Sequence, residues 1–175
     1  MSEGIPEYVD LLRIAKPGGH YSGSISVARM PRFIEYLANK EGQINADIIV
    51  GTDERRHAFI QGQVNGTVWV TCQRCMQAMQ YDIDTSFKLM LVEFEHQLQR
   101  IPEDVEAMLV SEVPASLVGI IEDELILGFS LVPMHKEEDC EATSYLQGQR
   151  DDSQQEVSTE KPNPFAVLKD FKSDG

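Results

Sequence analysis

The sequence predicts an α+β fold: an antiparallel β-sheet built on one long hairpin, packed by one main helix and a shorter N-terminal helix, and followed by an acidic flexible C-terminal arm. Three observations lead there. From His57 to Cys72 the even positions Ile60, Val64, Val68, Val70 and Cys72 alternate with Gln61, Gln63 and Asn65, and after Cys75 the apolar series moves to the odd positions Met79, Tyr81, Ile83, Phe87, Leu89 and Leu91. Strand side chains alternate faces with period two, so both runs read as strands with one buried and one wetter face, although Phe59 and Trp69 break the polar side. The segment "PASLVGIIEDELILGFSLVP" carries Val118, Ile121 and Leu125 at helical spacing, and beyond Cys140 apolar residues give way to Gln, Ser, Asp and Glu.

Taken in order, residues 1–28 read as loop, because Pro6, Pro17, Gly18, Gly19 and Gly23 interrupt short apolar pieces such as Leu11 and Leu12. Ala28 to Lys40 places Met30, Phe33, Ile34 and Leu37 at helical spacing, with Pro31 tolerable in a first turn, and predicts a short amphipathic helix. "ADIIVGTD" predicts a strand ahead of the hairpin, whose two arms meet at Cys72 and Cys75. Residues 95–112 read as a loop or edge segment. Pro114 to Pro133 predicts the main helix, with Pro114 in its first turn, Gly128 near its end, and Glu122, Asp123 and Glu124 on its solvated side. The expected organisation is one domain over residues 1–142, an acidic linker over 143–161 too poor in apolar surface to offset the entropy of ordering, and a C-terminal apolar motif over 162–175. That motif, "KPNPFAVLKDF", gathers Phe165, Val167, Leu168 and Phe171 behind two prolines and suits a docking peptide or a tail that folds back.

The net charge is −14, from 29 acidic and 15 basic residues among 175. Between Glu137 and Glu160 eight acids face the single Arg150, which puts half of the net charge in about one seventh of the chain. Such a field repels polyanions at long range and attracts basic proteins, and it also serves solubility. No basic segment followed by an apolar run opens the sequence, and no stretch approaches the roughly 20 apolar residues that span a bilayer, so a cytoplasmic protein acting away from membranes is expected. Three cysteines, an odd number, argue for thiols held reduced or bound to metal.

Cys72-x-x-Cys75 at a hairpin turn aims two sulfurs at one point and is half of a tetrahedral Zn²⁺ site. "VPMHKEEDC" supplies His135 and Cys140, and Cys72, Cys75, His135 and Cys140 together form a candidate closed four-ligand site. Two other readings stand beside it. A thioredoxin-like redox pair is weaker, because such pairs sit at a helix N-terminus after a strand, and three small packed cysteines with a surface imidazole need no ligand at all. Arg55, Arg56, Arg74 and Lys88 form a candidate basic patch at strand ends for phosphate contacts, or merely exposed turn residues. His20, His57 and His96 are scattered and read as surface or satisfied histidines. No phosphate loop, nucleophile elbow or Ser/His/Asp order is visible, so catalysis has no foothold in the sequence.

"CQRCMQAM" after an alternating strand, "EDELILGFSLVPMHKEEDC" and the terminal "KPNPFAVL" resemble, in order and spacing, the YceD family of bacterial large ribosomal RNA subunit accumulation proteins, over roughly residues 20–170. The resemblance implies a cytoplasmic, non-enzymatic factor needed for the synthesis, processing or stability of large-subunit ribosomal RNA. Cys72, Cys75, His135, Cys140, Pro162, Asn163, Pro164 and Phe165 match its motifs by position. Pro162, Asn163, Pro164, Phe165 and Leu168 are thereby the candidate partner-binding residues. Two mechanisms follow: an acidic adaptor that engages a basic ribosomal protein or the nascent large ribosomal subunit, or a direct ribosomal RNA binder that uses the basic patch with Trp69 or Tyr81 stacking. A zinc- or thiol-dependent hydrolase is a third reading, which three rather than four ligands on an ion would favour. DNA is not an expected partner.

Overall fold

The computed structural model describes residues 2–145. The expected linker beyond residue 145 and the motif holding Pro162, Asn163, Pro164, Phe165 and Leu168 lie outside them. The chain divides into two compact units, Met1–Lys136 and Glu137–Gly175.

The first unit is α+β. Its strands are β1 (Ser2–Glu3), β2 (Tyr8–Val9), β3 (Gly19–Ser26), β4 (Gly42–Thr52), β5 (Ala58–Thr71), β6 (Ala78–Val92), β7 (Ala107–Leu109) and β8 (Ala115–Ser116), and its helices are α1 (Leu11–Ala15), α2 (Glu95–Leu98) and α3 (Leu117–Gly128). The main sheet runs β1-β3-β4-β5-β6-β7, with β3 to β6 an antiparallel meander, β1 and β7 added parallel at its edges, and β2 and β8 paired separately.

The predicted hairpin is its centre. Ile60 faces Leu89, Gly62 faces Phe87 and Val70 faces Met79 across β5 and β6, while Ile48 and Val50 of β4 face Gly62 and Ile60. The even positions of β5 and odd positions of β6 therefore share one face. There Ile44, Ile48, Val50, Ile60, Val64 and Val68 are fully buried beneath α1 and α3. Gly62 is needed in this layer, since a Cβ there would lie 2.5 Å from Cδ1 of Ile48 and 2.7 Å from the Phe87 ring.

Several expectations are corrected. Residues 1–28 are not loop: they form β1, β2, α1 and the eight-residue β3, which pairs with β4 along its whole length. The predicted helix over 28–40 is instead two 3-10 turns, Val27–Arg29 and Phe33–Tyr36. Met30 and Phe33 are buried as expected, and Pro31, which lacks an N–H, stands between the turns. The main helix starts at Leu117, where the Ser116 hydroxyl accepts from Gly119 N at 3.0 Å, so Pro114 precedes it rather than opening it. Glu122 does not face solvent. It is 4 % exposed, and its carboxylate accepts from the backbone N–H of Arg32 at 2.7 Å and of Phe33 at 3.0 Å, and from the Arg32 guanidinium at 2.9 and 3.0 Å. That pairing, followed by Asp123, raises the Arg32 pKa further above its ordinary value.

In the second unit, Glu137–Asp139 forms a 3-10 turn. Thr143 donates from its N–H to Cys140 O at 2.9 Å and from its hydroxyl to Glu137 O at 2.7 Å.

Candidate metal centre

The six residues between β5 and β6 form a tight turn. Cys72 donates its N–H to Gln77 O and accepts at its carbonyl from Met76 N, both at 2.9 Å. Met76 closes the turn at φ +61°, a left-handed conformation uncommon for a side chain of its size. Cys72 is buried, and Cys75 lies half-buried beside it.

The segment after α3 is laid over this turn by four polar contacts within the first unit. Gln73 N donates to Pro133 O at 2.9 Å, and the Arg74 guanidinium donates to the carbonyls of His135 and Lys136 at 3.0 and 3.3 Å. His135 N donates to Cys72 Sγ at 3.4 Å. These bonds bring the His135 imidazole to the turn, with Nδ1 3.3 Å from Cys75 Sγ.

One ligand atom each from Cys72, Cys75 and His135, all in the first unit, lies within 4.8 Å of the others. Ligands about 2.0–2.3 Å from a tetrahedral ion are about 3.3–3.8 Å apart, and Cys75 Sγ and His135 Nδ1, 3.3 Å apart, have that spacing. The two sulfurs and the imidazole are donors of the type that suits Zn²⁺. None of the three cysteines is disulfide-bonded. Although burial opposes it as the largest single influence, the N–H groups of Cys75, His135 and Arg74 together bring the Cys72 thiol from 9.0 down to about 5. Cys72 is accordingly thiolate at neutral pH, the form that ligates metal. The redox reading loses its premise, since the pair sits in a hairpin turn and not at a helix N-terminus.

The four candidate basic residues are not one patch. Arg55 and Arg56 occupy the β4–β5 turn, where Asp53 Oδ1 accepts from His57 N at 2.7 Å, and Lys88 lies over the Phe59 ring at 4.9 Å. Arg74 is at the far end of the 14-residue β5, about 40 Å away at roughly 3.3 Å per residue, where it holds the His135 segment. Trp69 is 37 % exposed, and Tyr81 packs its ring against Phe129 at 5.1 Å. His20 pairs with Asp47 and His57 with Asp53, while His96 stacks on Phe94. The positioning roles of Arg74 and Glu122 escape sequence reasoning, because their partners stand about 60 and 90 residues away.

No helix among the described residues is long and apolar enough to cross a membrane. The model of the family "Large ribosomal RNA subunit accumulation protein YceD" matches residues 60–172. The chain is 31 % identical over 169 residues, 96 % of each sequence, to the large ribosomal RNA subunit accumulation protein YceD of Haemophilus influenzae. No solved structure matches it. The match takes in the hairpin turn, the His135 segment and the C-terminal motif, and the chain belongs to the YceD family of large ribosomal RNA subunit accumulation proteins.

Proposed function

We propose that this protein is a non-enzymatic, cytoplasmic ribosome-biogenesis factor that supports the accumulation of large-subunit ribosomal RNA. It does so as an acidic adaptor binding a basic ribosomal protein or the nascent large subunit. Family membership supports the ribosomal role. The observation that supports the adaptor mechanism is electrostatic: a net charge of −14 is combined with four candidate basic residues that do not form one patch. Direct phosphate binding needs several Lys or Arg side chains on one track, and here Arg74 is removed from Arg55, Arg56 and Lys88 by the length of β5.

Cys72, Cys75, His135 and Cys140 hold a structural Zn²⁺ in this reading. With all four positions taken by protein, such an ion has no open site for substrate water, which favours a structural role over hydrolysis. Pro162, Asn163, Pro164, Phe165 and Leu168 provide a second, apolar contact to the partner.

The test is native affinity purification of the full chain with and without nuclease, followed by identification of what is retained. Retention of large-subunit ribosomal proteins after nuclease treatment is expected. Loss of every ribosomal component on nuclease treatment would favour direct RNA binding, and recovery of none in either condition would overturn the ribosomal reading.

A further inference from the structure

The open edge of β6 has chemistry that the proposed adaptor role does not specify. Residues of a strand point their N–H and C=O groups alternately to either side. Met90 N donates to Glu106 O at 2.9 Å and Val92 O accepts from Val110 N at 2.8 Å, both away from β5. The even-numbered residues of β6 therefore direct their backbone groups to the outer edge. β7 covers only Met90–Val92. Gln80, Asp82, Asp84, Ser86 and Lys88 are left with outward N–H and C=O groups that no other described strand pairs, and all five residues are exposed. An unpaired edge of this length is a template for another strand.

Two grooves flank the point where β7 ends and the open edge begins, and both are acidic. One, of about 640 Å³, is lined by Ser86, Lys88, Asp104 and Glu106. The other, of about 440 Å³, has Leu89, Met108, Ile120 and Leu127 as its apolar lining with Glu106 and Glu124 among its acids. Burial, then the charges of Glu106 and Asp123, push the Glu124 carboxyl above its usual range. Asp123 is held by Arg32, whereas neither Glu106 nor Glu124 has an ion-pair partner among the described residues. An apolar floor under unneutralised carboxylates fits the aliphatic stem and charged head of Lys or Arg.

We propose that the β6 edge from Gln80 to Lys88 receives an extended cationic segment of a protein partner as an added strand, with Lys or Arg side chains directed to Asp82, Asp84 and the acidic grooves. A second copy of this chain is the poorer occupant. Antiparallel self-pairing about Ile83 sets Asp82 against Asp84 in both directions, and like charges directly opposed destabilise a strand pair. The same acids reward a basic strand, whose backbone supplies the hydrogen bonds and whose charge supplies the selection.

This inference deepens the adaptor reading and rests on it for the partner's origin. The experiment uses the full chain, titrated at low and physiological salt with a short alternating Arg-Thr peptide, its Glu-Thr counterpart and an Arg-Thr peptide N-methylated throughout. Amide exchange is followed residue by residue. The Arg-Thr peptide should slow exchange at Gln80, Asp82, Asp84 and Ser86 and leave the odd-numbered amides, already bonded to β5, unchanged. N-methylation should weaken binding about tenfold or more, because it removes several hydrogen bonds and no charge. Asp82→Lys combined with Asp84→Lys, both at exposed positions, should abolish it. Equal binding of the N-methylated peptide, a response without the alternating pattern, or no binding at low salt would each overturn the proposal. Nuclease-resistant retention of a ribosomal protein together with an unprotected β6 edge would overturn this inference and leave the adaptor reading standing.

Discussion

At the scale of single residues, the Cys72 turn couples protonation to folding. The folded thiol titrates at about 5 against 9.0 for the ordinary group. A depressed folded pKa adds stability that is complete above the unfolded value and is lost as pH falls through the folded one. The melting temperature of the chelator-treated chain should accordingly rise between about pH 5 and pH 9, and Cys72→Ser should flatten that rise. Purified wild-type protein is expected to carry about one zinc per chain by elemental analysis, and Cys72→Ser close to none. Equal, near-zero contents would retire the metal. Arg74→Ala removes two guanidinium bonds to the carbonyls of His135 and Lys136, which should cost about 1–2 kcal/mol in urea unfolding and weaken zinc retention. Glu122→Ala leaves two backbone N–H groups without their acceptor and Arg32 with Asp123 as its remaining carboxylate partner. Because Arg32 is half exposed, we expect about 2–3 kcal/mol rather than the larger loss of a fully buried pair. A change below about 0.5 kcal/mol would contradict the capping role given to Glu122.

At the scale of elements, the hairpin and α3 were legible because their apolar periods run through most of their length: alternation across β5 and β6 gave the buried face correctly. β3 was not legible. In "GHYSGSIS" only Ile25 is buried, so the strand is held by its pairing with β4 and leaves almost no apolar signal. The segment around Phe33 shows the opposite failure, since helical spacing of Met30, Phe33 and Leu37 was present but Pro31 and the distant Glu122 carboxylate set 3-10 turns instead. Three consecutive acids looked solvated on the same ground, as nothing near Glu122 in sequence announces the N–H groups it satisfies. Residue type alone marked Cys72, Cys75 and His135 as candidate ligands, whereas the contacts that place His135 beside the turn were not legible. Packing of the meander gives a direct check. Gly62→Val should cost about 2–3 kcal/mol through overlap with Ile48 and Phe87. Adding Phe87→Leu should recover part of that loss, since residues in contact are not additive. A loss unchanged in the double variant would contradict the arrangement of this layer.

At the scale of the whole molecule, the proposed adaptor reading rests on charge. Fifteen basic residues against 29 acidic ones leave a field that draws in cationic proteins and repels nucleic acid beyond contact range, weakening with salt over a Debye length of about 8–10 Å. The open β6 edge with Asp82 and Asp84 carries that field onto a surface with backbone groups to offer. The most direct measurement is therefore binding of the purified full chain, at physiological salt, to protein-free large-subunit ribosomal RNA and separately to RNA-free large-subunit ribosomal proteins. An acidic adaptor binds the proteins and leaves the RNA unbound. Tight binding to the naked RNA with an affinity that falls steeply as salt rises, and none to the proteins, would contradict it.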